Sequence, residues 1–175
     1  ENAGRDPRSD RPDHARRIRA PRNAGRAHGR RAIDGRRVGA HGVHLGLEDM
    51  SVKEARAILG ADKIVGGTAN TIEQVIQRIE EKVDYVGVGP FRFTTTKEKL
   101  SPILGAEGFR EIVKRLSAAN LSIPIIAIGG IEIADVAHIM ETGVYGVAVS
   151  GALTNQPDLP LAYQQIQKEI NTQLV

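Results

Sequence analysis

From Gly42 onward, hydrophobic and polar positions switch repeatedly between a strand-like and a helical period. Val43-His44-Leu45-Gly46 is too short for a helix and reads as a strand, with Leu47-Glu48-Asp49 as the loop after it. Ser51 followed by Glu54 predicts a capping box, and the helix it opens runs to Leu59, where Gly60 stops it. Lys63 to Thr68 is the next strand. Thr71 to Lys82 predicts an amphipathic helix with Ile72, Val75, Ile76 and Ile79 on one face. Tyr85 to Val88 is a third strand, halted by Gly89-Pro90, and Ala106 to Ala119 is a helix burying Phe109, Ile112, Val113 and Leu116. Pro124 to Gly130 is apolar at consecutive positions, as a strand covered on both faces must be. Glu132 to Glu141 predicts a helix closed by Gly143, Val147 to Gly151 the last strand, and Leu159 to Thr172 the last helix.

Strict alternation of strands and helices implies a parallel α/β sheet with right-handed crossovers. Each strand ends in glycine or a hydroxyl. Polar residues gather just beyond: Glu48 and Asp49, Thr68 and Asn70, Thr94 to Lys97, Gly129-Gly130, Ser150-Gly151. All of these lie at carboxyl ends of strands, the face on which parallel barrels and open parallel sheets bind ligands.

Composition changes the picture at the amino-terminal end. In residues 1–41 twelve arginines, no lysines and five acids give +7, and the large aliphatics are only Ile18, Ile33 and Val38. Such a stretch buries too little apolar surface to offset the entropy of ordering, so disorder is expected up to residue 41, and one folded domain from 42 to 175. That domain is mildly acidic, −4, and gives no reason to expect nucleic acid. The arginine arm has no aromatic residue to stack on bases and would hold phosphates only, weakly and salt-dependently. The chain has no cysteine, which rules out disulfides, thiolate metal sites and a cysteine nucleophile. No apolar run approaches the ~20 residues of a membrane span, and no signal-like segment begins the sequence, so a cytoplasmic protein without membrane association is expected. A homo-oligomer is left open.

Candidate chemistry sits in the loops. Thr94-Thr95-Thr96-Lys97 offers three directed hydroxyl donors and a compact positive charge, suited to phosphoryl oxygens or, more plainly, to solvent. Asp49 can serve either a hard cation completed by phosphate oxygens and water, or the dipole of the helix after Ser51. His44, opposite in facing to Val43 and Leu45, is expected to be a hydrogen-bonded structural histidine. Gly129-Gly130 and Ser150-Gly151 let backbone N–H groups close on a phosphate, and barrel enzymes place phosphates between such last two loops.

In order, Gly42-Val-His-Leu-Gly-Leu-Glu-Asp49, Gly66-Gly-Thr-Ala-Asn-Thr71, Gly87-Val-Gly-Pro-Phe-Arg-Phe-Thr-Thr-Thr-Lys97, Ala127-Ile-Gly-Gly-Ile131 and Val147-Ala-Val-Ser-Gly-Ala-Leu-Thr154 resemble the successive signatures of thiamine phosphate synthase. The resemblance covers Gly42 to Thr154, with little or nothing before residue 38. It implies the (β/α)8 TIM-barrel family, here with the carboxyl-terminal five βα units. It also implies a transferase of thiamine biosynthesis that couples hydroxymethylpyrimidine diphosphate to thiazole phosphate, giving thiamine phosphate and pyrophosphate. By the same resemblance Asp49 is a Mg2+ ligand, Thr68 and Lys97 act on the pyrimidine diphosphate, Thr94, Thr95 and Thr96 hold the thiazole phosphate, and Gly130, Ser150 and Gly151 form its cradle.

Where the family carries an Asn-Asp pair with the other magnesium ligand, this chain reads Gly29-Arg30, and the family's Gln-x-Arg-x-Lys segment has no counterpart. The segment before Val38 is therefore expected to reflect a shifted reading frame or misassigned start, leaving a truncated barrel. A thiazole tautomerase-like relative and a non-catalytic phosphate-binding fragment are the alternative functions.

Overall fold

The computed structural model describes residues 30–93 and 102–172. Its centre is one sheet of parallel strands in the order β1 (Gly42–Leu45), β2 (Ile64–Ala69), β3 (Tyr85–Val88), β4 (Ile125–Ile128) and β5 (Gly146–Ala148). Helix α1 (Arg30–Arg37) precedes β1. The crossovers contain α2 (Val52–Leu59), α3 (Ile72–Glu80), α4 (Gly105–Ala118) and α5 (Val136–Met140), while α6 (Gly151–Thr154) and α7 (Leu159–Thr172) follow β5. Sequential strands are spatial neighbours throughout, so the α/β alternation read from the sequence is the architecture observed. Among the described residues, β1 and β5 are each paired on one side only. No helix among these residues is long and apolar enough to cross a membrane.

Local chemistry accounts for the better-anticipated elements. The Ser51 hydroxyl accepts from the Glu54 N–H at 3.2 Å while the Ser51 N–H donates to the Glu54 carboxylate at 3.0 Å, a reciprocal cap that starts α2. Thr71 caps α3 by accepting from the Gln74 N–H. Alternation along the strands then sends Leu45, Val65, Val86, Val88, Ile125 and Ala127 to one face, where they pack fully buried with Val75, Phe109, Ile112, Val136 and Ile139 of the helices. Burying each large aliphatic side chain contributes roughly 1.5–3 kcal/mol, so this layer supplies most of the driving force.

Four expectations need correction. Residues 1–41 do not lack order throughout: α1 packs on α2 and β1, with Ala32 fully buried and a Cβ on Gly35 lying only 3.6 Å from Leu59. Its contact face is built of small residues, which a search for large aliphatics overlooks. Glu132 to Glu141 is not one helix. A 3-10 turn, Ile133–Asp135, comes first, because the Asp135 carboxylate folds back to accept the Glu132 N–H at 2.9 Å. The last strand ends at Ala148, and Gly151–Thr154 is a helical turn whose Leu153 and Thr154 N–H groups each donate to the Ser150 carbonyl at 2.9 Å. Finally, β4 is buried on one face only; Ile126 and Ile128, on the other, are half-buried.

Candidate active site

The second face of the sheet carries polar side chains toward its carboxyl edge. Register places His44, Gly66 and Tyr85 in one row across β1, β2 and β3, and Thr68, Gly87 and Ile126 in the next. The two glycines make room. A Cβ on Gly66 would stand 2.2 Å from the Tyr85 ring, and one on Gly87 would stand 2.9 Å from His44, so each ring passes over a glycine of a neighbouring part of the sheet. They meet at a centroid separation of 5.4 Å, with His44 Nδ1 3.0 Å from the Tyr85 hydroxyl and Nε2 2.9 Å from Thr68 Oγ1. Burial pushes the Tyr85 phenol above its ordinary value, so the hydroxyl stays protonated and able to donate. His44 is thus the hydrogen-bonded histidine the sequence suggests, and it bridges to the residue that the resemblance places on substrate.

Behind this row, on the helix side, lies Arg78, which is only 7 % exposed. Its Nε donates to the Thr68 carbonyl at 3.1 Å, one terminal nitrogen to the Gly46 carbonyl at 3.0 Å, and the other to Glu81 at 2.7 Å. One guanidinium therefore ties the carboxyl ends of β1 and β2 together, and the Arg78 side chain covers Gly67, where a Cβ would stand 2.7 Å from its Cδ. The sequence places Ile72, Val75, Ile76 and Ile79 on one face of α3, and all four pack against the core. Ile76 and Ile79 are half-buried there, and Arg78 is inside. No local signal marks Arg78, because two of its partners are carbonyls brought to it from β2 and the end of β1.

An open cleft of about 1010 Å³ lies at the carboxyl ends of β4 and β5, bordered by Pro90, Gly129, Gly130, Glu132, Ser150 and Gly151. Gly129 and Gly130 have φ of +88° and +70°, and Cβ atoms there would press within 2.9 Å of Pro90 and of the Arg92 carbonyl. Both the dihedrals and the clearance require glycine. The loop leaving β3 lies against this turn: Phe91 N–H donates to the Ile128 carbonyl at 3.0 Å and Arg92 N–H to the Gly129 carbonyl at 3.1 Å. Buried Asn70 donates from its side chain to the Gly89 carbonyl, joining the loop after β2 to the same assembly. Arg92, which the sequence reading quoted without giving it a role, forks onto both Asp135 oxygens at 2.9 Å.

Of the residues singled out by sequence, Gly130, Ser150 and Gly151 border one cleft, and Thr68 lies on the polar face of the sheet, hydrogen-bonded to His44. Thr94, Thr95, Thr96 and Lys97 lie outside the described residues; Phe93 is the last described residue of the loop that leads to them. Asp49 accepts the Gly46 N–H at 2.7 Å, an arrangement that closes the loop after β1. Among the described residues no three or more carboxylates and histidines gather to hold a metal. A single carboxylate already engaged with a backbone N–H does not make up the oxygen shell that magnesium demands, so these residues alone do not fit a magnesium site.

The family model for thiamine monophosphate synthase matches residues 31–153. That reaches upstream of residue 38, where the sequence resemblance was expected to fade, and takes in α1. The chain is similar to the thiamine-phosphate synthase of Flavobacterium johnsoniae, 47% identical over 138 residues covering 79% of this chain and 65% of the relative. It is also similar to that of Flavobacterium psychrophilum, 51% identical over 135 residues covering 77% and 66%. Among solved structures, thiamine phosphate pyrophosphorylase from Pyrococcus furiosus superposes with a TM-score of 0.72 at 31% identity, covering 84% of this chain and 67% of that one. The chain spans about two thirds of the length of these curated relatives.

Proposed function

The chain belongs to the thiamine monophosphate synthase family, and we propose that it carries the thiazole phosphate site of a thiamine phosphate synthase. The observation that carries this reading is the convergence of Gly129-Gly130 and Ser150-Gly151 on one cleft, with the loop leaving β3 pinned to its rim. Backbone N–H groups without intervening side chains suit the oxygens of a phosphate monoester. Thr94, Thr95 and Thr96 would complete its shell from the loop that Phe91 and Arg92 begin.

In the reaction proposed, the bond between the pyrimidine methylene carbon and the diphosphate oxygen breaks, its electron pair leaving with pyrophosphate. The thiazole ring nitrogen then forms the new bond to that carbon. Neither step requires a nucleophilic side chain, in keeping with a chain that has no cysteine. Lys97 is assigned to the charge developing on the leaving pyrophosphate, and Thr68 to a hydrogen bond on the same diphosphate, its hydroxyl oriented by His44. Magnesium, the cofactor the resemblance implies, finds no complete ligand set among the described residues, and no step is assigned to it. A cytoplasmic location and small-molecule substrates go with this reading.

A second reading, a phosphate-binding chain without turnover, is favoured by Asp49, whose carboxylate accepts the Gly46 N–H at 2.7 Å and closes the loop after β1. One experiment separates the two. The purified chain is supplied with hydroxymethylpyrimidine diphosphate and thiazole phosphate, with and without magnesium, and thiamine phosphate is assayed beside calorimetric titration of thiazole phosphate alone. Saturable thiazole phosphate binding is expected, with turnover appearing when an intact family amino-terminal half is restored. Turnover by the chain as it stands would eliminate the second reading, and no binding at all would eliminate both.

A further inference from the structure

We propose that the Arg92–Asp135 pair is a strut that sets the geometry of the Gly129-Gly130 turn, making Arg92 a positioning residue for the phosphate monoester of the cleft; this rests on the function proposed above. Arg92 arises on the loop after β3, Asp135 on the 3-10 turn after β4. Two terminal nitrogens of Arg92 meet the two Asp135 oxygens at 2.9 Å each, and one of them also donates to the Gly130 carbonyl at 2.9 Å. The Arg92 backbone N–H takes the Gly129 carbonyl at 3.1 Å. Both glycines of the turn are thus held through their carbonyls by one residue.

Such a restraint has a physical purpose. A Gly-Gly pair has no side chains to select its dihedrals and reaches positive φ as one choice among many, so its conformation must be imposed from outside. The strut is itself anchored. The Arg92 guanidinium lies 5.3 Å from the Phe91 ring, which stacks at 6.2 Å on the fully buried Phe109. Asp135 accepts in addition from the Glu132 N–H at 2.9 Å, which fixes the carboxylate from a second direction. Glu132 also stands 3.5 Å from Arg92. With its fork turned onto Asp135 and much of its charge balanced there, Arg92 acts on the ligand through the turn. Lysine, a point charge without a planar fork, cannot span both carboxylate oxygens and the carbonyl together.

The test is amide hydrogen exchange on the ligand-free full chain at Gly129, Gly130 and Ile131, in Arg92→Lys, Arg92→Gln, Asp135→Asn and the double variant Arg92→Gln with Asp135→Asn. Far-UV circular dichroism verifies folding, and the conservative lysine variant guards against loss of fold in the others. Exchange at these three amides is expected to rise about tenfold in each single variant and no further in the double, while amides of β2 and β3 keep their protection. Unchanged exchange at the turn, or acceleration spread evenly through the sheet, overturns the strut. Titration of thiazole phosphate into the same proteins distinguishes this failure from that of the proposed function. If the parent chain does not bind the ester, the function falls while the exchange result still judges the strut. If the parent binds and loosened variants bind equally well, the positioning role is overturned. About tenfold weaker binding in the single variants supports it.

Discussion

Nε2 of His44 lies 2.9 Å from Oγ1 of Thr68, across neighbouring strands on the open face of the sheet. The other ring nitrogen is taken by the Tyr85 hydroxyl, so the imidazole joins two hydroxyls with complementary donor and acceptor roles. Replacing it with an apolar side chain strands both. His44→Leu is expected to lower the free energy of unfolding by about 2 kcal/mol in urea titration. Thr68→Ser should retain the bridge and its stability, whereas Thr68→Val should not. Equal unfolding midpoints for the serine and valine variants would argue against the bridge.

Gly66 exists to let the Tyr85 ring pass. A methyl group there would sit 2.2 Å from the ring, closer than any relaxed contact, so the ring would have to leave its place beside His44. Gly66→Ala is expected to cost roughly 1–3 kcal/mol through overpacking, and the companion change Tyr85→Leu should relieve much of it. Additive losses in the double variant would show that the two positions do not share one space.

Arg78 holds the carboxyl ends of β1 and β2 through two carbonyls. Arg78→Met keeps the apolar stem but leaves the Thr68 and Gly46 carbonyls without this donor, and is expected to destabilise the fold by about 2 kcal/mol. Because the same carbonyls fix the end of β2 at Thr68 and the loop carrying Asp49, hydrogen exchange should quicken there first. A variant with parental stability and exchange would make the guanidinium dispensable.

Alkaline pH probes the same sheet face. Burial holds the Tyr85 phenol above 10.0, so the unfolded chain releases that proton first as pH rises. The stability this residue contributes is therefore whole below pH 10.0 and is lost above it. Tyr85→Phe should flatten the fall of the thermal midpoint across that range, and identical slopes in parent and variant would refute the burial effect.

How much of this was legible beforehand follows from where each signal resides. Elements defined by local chemistry were readable: the Ser51–Glu54 box placed the start of α2, and Leu159 to Thr172 was recovered with its bounds. Gly130, Ser150 and Gly151 could be read as neighbours because parallel α/β order forces the last two loops together. Residues whose meaning is tertiary were not readable. Arg78 and Arg92 look like surface cations until Gly67 and Gly130 are seen beneath them. Helix α1 hides because alanine and glycine make its contact, and Asp135 broke an anticipated helix by spending its carboxylate on Glu132 and Arg92.

The most direct test of the central claim is calorimetric titration of thiazole phosphate, beside the unphosphorylated thiazole alcohol, into the parent chain and into Gly130→Ala. At φ +70°, with the Arg92 carbonyl 2.9 Å from any Cβ, alanine must distort the turn. The account expects saturable binding that depends on the phosphate and weakens at least about tenfold in the variant. Equal affinity for ester and alcohol, or an alanine variant that binds the ester as tightly as the parent, would contradict it.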